Sequence, residues 1–311
     1  MNKKGKVLIA APVHEVLTSG LIDKGYELLM QETITQDLGM QLVTDCVGIV
    51  TSTRLQVNSD MIDAAPNLQF VARMGSGMEV IDVPYAKQKG IKCIGSPEGN
   101  CNAVAEHALG MLLSINKNID KSYNEIKNGL WLRDENRGSE LEGKIIGIIG
   151  YGNTGMALAK LLRGFDVQVW VYDKYKTIEP TPFITVCEKI EQIQAAADII
   201  SVHVPHQTDT FHLIDENFII KMAKPFILLN TSRGTVVDSE VLLKYLHTGK
   251  LKALALDVWE EEPLGKMSEH LRGIFDEIIA RPNTLLTPHI AGYSQEALYK
   301  MSALLLERII K

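Results

Sequence analysis

Residues 143–174, GKIIGIIGYGNTGMALAKLLRGFDVQVWVYDK, contain two short apolar runs separated by a glycine-rich turn and an amphipathic stretch. Short apolar runs are typical of strands buried on both faces, and the stretch between them has the length of a helix. Two strands joined through a crossover helix run parallel to each other. The segment therefore predicts a strand–helix–strand unit in a parallel sheet.

Apolar runs and amphipathic stretches alternate along the rest of the chain as well. Before residue 98 the pattern predicts strands in KVLIAAP, CVGIVTS, LQFVARMG and KCIGSP, with helices in LIDKGYELLMQ and SDMIDAAP. After Pro97 it predicts one long helix in NAVAEHALGMLLSINKNIDKSYNEIKNG, followed by strands in IIGIIG, VQVWVYD, DIISVHVP, FILLNTS and ALALDVW. This alternation is typical of α/β proteins with parallel sheets.

The length of the chain, 311 residues, indicates two domains of ordinary size. We expect a junction near residue 98. Residues 1–98 would form the first domain, completed by the C-terminal helix within residues 290–311, because that segment has no strand of its own. Residues 99–289 would form the second domain.

The predicted helix from about Asn102 has small or apolar residues on more than one face. Ala103, Ala105, Ala108 and Leu112 are among them. A helix of this kind is either buried between domains or used in subunit association. On the second interpretation we expect a homodimer.

Charge and composition exclude several classes of partner. The net charge is −6 with both signs interspersed, so there is no basic stripe of the kind that binds nucleic acid. No stretch approaches the roughly 20 apolar residues of a membrane span, and the first apolar run is too short for a signal peptide. The four cysteines lack metal-type pairing and are expected as buried thiols in a reducing compartment. These features predict a cytoplasmic protein without a bound metal.

Three glycines, Gly150, Gly152 and Gly155, lie between the strand IIGIIG and the helix that follows it. Glycines supply tight backbone geometry in many turns, so the spacing alone is weak evidence. Here the turn opens a helix, where backbone N–H groups, including those of Asn153 and Thr154, can bind a pyrophosphate. The turn therefore predicts a dinucleotide site.

Asp173 ends the second strand of this unit, at the offset expected for a carboxylate that binds the ribose hydroxyls of the adenosine. Its charge would repel a 2′-phosphate, so NAD is expected as the cofactor. Lys174 and Lys176 lie nearby and could soften that repulsion, which leaves NADP as the alternative cofactor. A second glycine turn, RMGSGMEVID, has Val80 in place of the third glycine and is not expected to bind a nucleotide.

Three later strands end in polar loops. NTSRGTVVD presents Arg233, ALDVWEEEP presents Asp257 and three glutamates, and TPHIAGYS presents His289. Taken singly, the arginine could be a surface ion-pair partner, the glutamates a solvated loop and the histidine structural. The carboxyl ends of parallel strands meet at one edge of a sheet, so the three loops together predict a catalytic site beside the nucleotide.

The segments GIIGYGNTG, NTSRGTVVD, ALDVWEEEP and TPHIAGYS resemble successive signatures of the D-isomer-specific 2-hydroxyacid dehydrogenase family. The resemblance covers nearly the whole chain. It implies two Rossmann-like domains with the active site in the cleft between them, a dimer, and NAD-dependent hydride transfer to or from a D-2-hydroxy acid. It disfavours formate dehydrogenase, which resembles the family but has glutamine at the position of Glu262.

The resemblance also assigns roles to residues. It makes His289 the acid/base, Glu262 its partner carboxylate, favouring the protonated imidazole, and Arg233 the guanidinium that binds the substrate carboxylate and carbonyl. It places Asp257 beside the nicotinamide and leaves Glu260 and Glu261 solvated. The further cofactor-binding residues that it implies are Val204, Pro205, Thr208, Thr231, Ser232 and His289 itself.

Resemblance to the phosphoglycerate dehydrogenase branch implies the substrate contacts. Backbone amides around Ser76 and Gly77 would bind the substrate carboxylate, Arg54 a substrate phosphate, and Asn100 would be a polar neighbour. Arg54 could equally be a solvent-facing arginine. The expected substrate is 3-phosphoglycerate, ahead of glycerate/hydroxypyruvate or D-lactate.

A non-catalytic NAD-sensing protein of the corepressor type is the competing function, since such proteins resemble this family. NADH production that depends on substrate would distinguish the two. Because the sequence ends at Lys311, no C-terminal regulatory domain is expected.

Overall fold

The computed structural model describes residues 4–311, which form two compact units. Of these residues, the first unit comprises 4–101 and 292–311, and the second comprises Asn102–Ala291. Each unit is built on its own sheet of parallel strands. The two Rossmann-like α/β sheets agree with the predicted fold class.

The first unit is built on a five-stranded sheet in the order β2-β1-β3-β4-β5. Its strands are β1 Gly5–Ala10, β2 Tyr26–Met30, β3 Cys46–Thr51, β4 Phe70–Arg73 and β5 Lys92–Ile94. Its helices are α1 Glu15–Asp23, α2 Gln36–Leu42, α3 Ser59–Asp63, α4 Val83–Gln88 and the last helix of the chain, α12 Gln295–Ile310. The central strands β1, β3 and β4 are almost entirely buried, which explains their continuous apolar sequences.

Helix α12 packs on α1, although the two are nearly 300 positions apart in sequence. A Cβ at Gly20 would lie 2.3 Å from the Leu306 side chain, so the two helices are in close contact. The Ser302 hydroxyl accepts a hydrogen bond from the His14 backbone N–H at 2.9 Å. Leu305 is fully buried. The final helix is therefore part of the core of the first unit.

The helix predicted through LIDKGYELLMQ is wrong in its second half. Helix α1 ends at Asp23, Gly25 adopts a left-handed φ of 90°, and Tyr26–Met30 forms strand β2. The pairing runs from Gly5 opposite Tyr26 to Ile9 opposite Met30. Because β1 needs a partner on this side for its backbone groups, sheet pairing outweighs the helix-compatible pattern.

The second unit is built on a seven-stranded sheet in the order β12-β11-β10-β9-β6-β7-β8. Its strands are β6 Ile145–Ile149, β7 Gln168–Tyr172, β8 Ile184–Val186, β9 Ile199–Val202, β10 Phe226–Asn230, β11 Leu251–Leu256 and β12 Thr284–Leu286. Its helices are α5 Cys101–Asn116, α6 Ile119–Lys127, α7 Asn153–Leu161, α8 Ile190–Ala196, α9 Glu216–Lys221, α10 Ser239–Thr248 and α11 Glu269–Ile279. The order reverses between β6 and β9, and such a switch point is where doubly wound sheets bind ligands.

Two apolar cores cover the two faces of this sheet. Neighbouring residues of β6 alternate between them, with Ile148 in one core and Ile149 in the other. Ala105, Ala108 and Leu112 of α5 belong to the same core as Ile148. The small and apolar residues of α5 are therefore packed in the core of its own unit.

The predicted long helix after Asn102 is in fact two helices. Helix α5 ends at Asn116, Asn118 adopts a left-handed φ of 54°, and α6 begins at Ile119. The Asn116 amide donates to the Ser139 carbonyl at 2.8 Å, and its oxygen accepts from the Ser139 hydroxyl at 2.6 Å. These bonds join the helix end to the returning chain, a long-range contact that apolar periodicity does not reveal.

Within the described residues, none of the helices combines the length and the apolar character needed to cross a lipid bilayer. Over the same residues, no group of three or more histidine, cysteine or acidic side chains is arranged to hold a metal ion.

Candidate active site

The polar residues predicted for the second unit lie in loops that follow its parallel strands. Gly150, Gly152, Asn153, Thr154 and Gly155 follow β6, Asp173 follows β7, Val204, Pro205 and Thr208 follow β9, Thr231, Ser232 and Arg233 follow β10, Asp257 and Glu262 follow β11, and His289 follows β12. All of these loops are therefore at the carboxyl edge of one sheet.

The glycine turn brings the backbone of β6, α7 and β9 into close contact. Gly150 has a φ of 93°, and a Cβ there would lie 2.5 Å from the His203 carbonyl oxygen. A Cβ at Gly155 would lie 2.2 Å from the Gly150 carbonyl oxygen. Gly152, which precedes α7, is different, because no described atom lies within 4 Å of the position that its Cβ would take. The amino end of α7 is thus uncrowded and fits a phosphate group.

Asp173 lies against this turn. One carboxylate oxygen accepts the Tyr151 backbone N–H at 2.8 Å, and the other accepts the N–H groups of Tyr175 and Lys176, each at 3.0 Å. The neighbouring lysines have their own partners: Lys174 contacts Asp209 at 2.5 Å, and Lys176 donates to the Tyr151 carbonyl at 3.2 Å. The acidic side chain is therefore held beside the glycine turn by the backbone.

Two buried polar atoms near the same edge, Thr231 Oγ1 and His203 Nδ1, have no hydrogen-bond partner among residues 4–311. Burial lowers the pKa of His203 to about 4, so its ring is neutral at pH 7. Unsatisfied buried polar atoms are costly and are often satisfied by a ligand. The uncrowded helix end and these atoms fit a dinucleotide. His203 was not singled out in the sequence, where a lone histidine after an apolar strand carries no distinctive signal.

Arg233 is half-buried in the loop after β10, and Asn230 shapes this loop. The fully buried Asn230 side chain donates to the Arg233 carbonyl at 2.8 Å and accepts from the backbone N–H and hydroxyl of Ser232. The Arg233 guanidinium donates to the Ser232 carbonyl at 2.7 Å. Asn230 is not among the residues predicted from the sequence, where its signal is an amide side chain at the end of an otherwise apolar strand.

His289 and Glu262 form a hydrogen-bonded pair. The distance between His289 Nδ1 and Glu262 Oε2 is 2.8 Å. The other Glu262 oxygen accepts the Trp259 backbone N–H, also at 2.8 Å. Because Nδ1 faces the carboxylate, Nε2 is the ring nitrogen that can act on a ligand.

The Glu262 carboxyl is held in its ionised form. Burial raises its pKa, but the hydrogen bonds from His289 and the Trp259 amide, together with the charges of His289 and Arg233, outweigh burial. The net result is a pKa below the ordinary value for glutamate. At neutral pH the pair therefore consists of an imidazole and a charged carboxylate.

Asp257 is buried and organises the loop that carries His289. Its carboxylate accepts the Thr287 hydroxyl at 2.6 Å and the backbone N–H groups of Ile290 and Ala291 at 2.9 and 2.8 Å. The His289 N–H donates to the Asp257 carbonyl at 2.7 Å. His107 of α5, which was not predicted as a site residue, is hydrogen-bonded to Thr287 at 3.0 Å.

The prediction that Glu260 and Glu261 are solvated is wrong for Glu260. Its side chain is 13% exposed and contacts both His212 and the backbone of Ser239. Glu261 is half-buried and accepts the Ser268 N–H at the start of α11. The three consecutive glutamates cannot be distinguished in the sequence, but in the structure each side chain contacts a different partner.

The predicted substrate residues Arg54, Ser76, Gly77 and Asn100 belong to the first unit. Ser76 and Gly77 follow β4 in a turn where Gly75 has a φ of 138° and donates its N–H to the Ser96 hydroxyl. Arg54 is exposed and donates to the Glu32 carbonyl at 3.1 Å. Asn100 lies against Gly292, where a Cβ would be 2.8 Å from its amide nitrogen.

Comparison with known proteins connects this geometry to a family. Residues 109–291 match the family described as D-isomer specific 2-hydroxyacid dehydrogenase, NAD binding domain. Hydroxypyruvate reductase of Thermotoga maritima is 32% identical over 308 residues, which cover 98% of this chain and 97% of that protein. The chain belongs to the D-isomer-specific 2-hydroxyacid dehydrogenase family.

Two more similar proteins extend the comparison. D-3-phosphoglycerate dehydrogenase of Archaeoglobus fulgidus is 32% identical over 306 residues, which cover 98% of this chain but 56% of that protein. This 2-hydroxyacid dehydrogenase thus spans about half the length of that relative. The structure of D-lactate dehydrogenase from Aquifex aeolicus, complexed with NAD and lactic acid, has a TM-score of 0.86 at 24% identity and covers 98% and 94% of the two chains. At this identity the likeness shows the shared fold.

These findings confirm three predictions from the sequence. The protein is a 2-hydroxyacid dehydrogenase, it is an NAD-dependent enzyme, and it has the Rossmann-like α/β fold expected of the family.

Proposed function

We propose that Arg233, Glu262 and His289 are the catalytic residues of this 2-hydroxyacid dehydrogenase, and that its substrates are 3-phosphoglycerate and phosphohydroxypyruvate. The observation that carries the catalytic assignment is the 2.8 Å contact between His289 Nδ1 and the ionised Glu262. A carboxylate on one ring nitrogen orients the imidazole, so the other nitrogen can exchange a proton with substrate.

In this mechanism each side chain has one task. Arg233 binds the substrate carboxylate and the adjacent oxygen through its planar, permanently charged guanidinium. His289 Nε2 gives a proton to the substrate oxygen during reduction and takes it back during oxidation. Glu262 holds the ring through Nδ1 and balances the charge that forms on it.

The cofactor would be held at the glycine turn. Backbone N–H groups of Asn153 and Thr154 at the start of α7 suit the pyrophosphate, and Asp173 suits the ribose hydroxyls. Bound NAD(H) supplies the hydride that is exchanged with the substrate carbon. We propose the loops at Val204–Thr208, Thr231–Ser232 and Asp257 as further contacts of the cofactor.

Replacing His289 tests the catalytic assignment. His289 has a left-handed φ of 56°, so asparagine, which tolerates this backbone, is a better replacement than alanine. His289→Asn should lower kcat by about 10²- to 10⁴-fold, because a positioned proton donor is lost. Its affinity for NADH, measured by fluorescence titration, should change little.

The matched control is His270→Asn. His270 also pairs with a glutamate, Glu240, at 2.6 Å, but it lies on the exposed surface of α11. This control should retain wild-type kcat. If the two variants have the same kcat, His289 is not the acid/base and the proposed mechanism is wrong.

A second substrate, hydroxypyruvate, is favoured by two observations. The hydroxypyruvate reductase of Thermotoga maritima is matched over nearly its whole length. In addition, Arg54, the proposed phosphate ligand, donates to a backbone carbonyl. The proposal of a phosphorylated substrate therefore depends on whether Arg54 also binds the phosphate.

We also propose that the enzyme is a homodimer. Exposed apolar side chains recur on one face of α6 and continue into the chain after it. They are Ile119, Tyr123, Ile126, Leu130, Trp131 and Leu132. A contiguous apolar patch on a charged protein is typical of an association surface, and a second copy of the chain would cover it.

A further inference from the structure

The loop that carries Glu262 is tied to the segment that carries Arg233 through the neighbouring glutamate, Glu260. Glu260 Oε1 accepts the Ser239 backbone N–H at 2.8 Å, at the start of α10. Its Oε2 lies 2.9 Å from His212 Nε2. One mostly buried carboxylate thus joins three parts of the chain, namely the loop after β11, the start of α10 and the segment before α9.

The backbone of the two loops is also in direct contact. Gly234 directly follows Arg233, and a Cβ at Gly234 would lie 1.9 Å from the Trp259 carbonyl and 2.4 Å from the Glu260 nitrogen. The chain can pass this closely because glycine has no side chain. The position of Arg233 therefore depends on where the loop from Trp259 to Glu262 lies.

The position of His212, which contacts Glu260, is fixed by its own backbone and ring contacts. Its backbone has a left-handed φ of 48°, and its N–H donates to the Thr235 carbonyl at 2.9 Å. Its ring stacks on Phe211, and Nδ1 is 3.7 Å from Asp238 Oδ2. The imidazole thus lies between two carboxylates, and its Nε2 is directed at Glu260.

We propose that Glu260 is a positioning residue that holds Glu262 and Arg233 in the relative position that the reaction requires. The carboxylate does not touch the substrate in this role. It acts through the loop from Trp259 to Glu262, whose last residue holds the His289 ring. This inference rests on the catalytic assignment of Arg233, Glu262 and His289 proposed above.

The adjacent glutamate provides a matched control. Glu261 is the same residue type one position away, but its carboxylate accepts the Ser268 N–H and faces α11. Removing it leaves the contacts of Glu260 intact. A comparison of Glu260→Ala with Glu261→Ala therefore separates the specific contacts of Glu260 from a general effect of removing a charge in this loop.

Glu260→Ala should lower kcat by about tenfold or more, because small displacements of catalytic groups have large effects on rate. The KM for the keto acid should rise, since Arg233 is displaced as well, whereas the dissociation constant of NADH should stay near that of the wild type. Glu261→Ala should match the wild type in all three quantities. Melting temperatures of both variants would show that kinetics are compared on folded protein.

Glu260→Gln tests the hydrogen bonds without the charge. Its amide oxygen can still accept the Ser239 N–H, and its NH₂ group can donate to His212 Nε2 if that ring carries its proton on Nδ1, facing Asp238. This variant should recover most of the lost kcat. Should Glu260→Ala fail to fold, His212→Asn, which keeps the left-handed backbone but removes the imidazole, should lower kcat several-fold relative to Glu261→Ala.

The inference is overturned if Glu260→Ala, or His212→Asn in its place, has the same kcat and KM as Glu261→Ala. It is also overturned if Glu260→Gln loses as much activity as Glu260→Ala. Failure of the catalytic assignment itself gives a different result, a near-normal kcat in His289→Asn. The two outcomes are thus distinguishable.

Discussion

His289 combines a left-handed backbone with a side chain that is 41% exposed. Left-handed φ values are unfavourable for most residues and persist where the surroundings hold them. Here the His289 N–H donates to the Asp257 carbonyl, while the next two N–H groups donate to the Asp257 carboxylate. The buried aspartate therefore directs the imidazole towards Glu262.

The kinetic effect of replacing Arg54 distinguishes the two candidate substrates, phosphohydroxypyruvate and hydroxypyruvate. If the substrate carries a phosphate, a cation must balance it, because a phosphate without a partner is costly to desolvate. Arg54→Ala should then raise the KM for phosphohydroxypyruvate about tenfold or more, the effect of losing one charge-assisted contact. Steady-state kinetics with both keto acids provide the measurement.

Hydroxypyruvate, which lacks the phosphate, is the internal control for Arg54. Its KM should be unchanged in Arg54→Ala. An equal effect on both substrates, or a wild-type enzyme that prefers hydroxypyruvate, would refute the phosphoglycerate proposal and leave the broader 2-hydroxyacid assignment in place.

The residue types in the sequence indicate which chemistry is possible, but they do not indicate which side chains contact one another. Arg233, Glu262 and His289 can be nominated from strand-end motifs, and the structure shows the last two in contact. The different orientations of Glu260, Glu261 and Glu262 could not be predicted, because they depend on Ser239, Ser268 and His289 in distant segments. Buried polar contacts of this kind have no periodic signal in the sequence.

Among the elements, α7 depends most directly on a single glycine. Gly155→Ala would place a methyl group 2.2 Å from the Gly150 carbonyl oxygen, so the helix must move away from the turn. Overpacking of this kind costs about 1–3 kcal/mol. Because the start of α7 is the proposed phosphate site, we expect NADH affinity to fall about tenfold, which corresponds to about 1.4 kcal/mol.

Gly164→Ala is the control for this effect. Gly164 lies in the helical turn after α7, and no described atom is within 4 Å of the position that its Cβ would take. NADH titrations should give wild-type affinity for this variant. If Gly155→Ala also binds NADH normally, the close contact between α7 and the turn is not required for the cofactor site.

Fully buried strands were easier to predict than partly buried strands and helix ends. The buried strands β3, β6, β9, β10 and β11 are recognisable because each is a continuous apolar run. Strand β2 was missed because its residues are only partly buried and their apolar pattern fits a helix. The break between α5 and α6 depends on Asn116 and Ser139, which are far apart in sequence.

For the molecule as a whole, the apolar patch on α6 predicts the state of association. Ile126 is 55% exposed within this patch. Ile126→Glu should weaken dimerisation, because a charge at the centre of an association surface must be desolvated. Sedimentation velocity at micromolar concentration should show a dimer for the wild type and a larger monomer fraction for the variant.

Ile220→Glu is the matched control, since Ile220 is 59% exposed on a helix outside the patch, α9. It should sediment like the wild type. A wild-type protein that sediments as a monomer of 34.5 kDa would contradict the proposed homodimer.

The contribution of α12 to the first unit has a consequence for biosynthesis. A ribosome makes the segment up to Cys101 before the second unit, but Met301 and Leu305, which belong to the interior of the first unit, are made after the whole of the second unit. During translation the nascent first unit lacks helix α12, whose Leu306 packs on Gly20 and whose Ser302 contacts Met74. The unit that begins synthesis first is therefore the last to complete its fold, whereas residues 102–291 can fold as soon as they emerge.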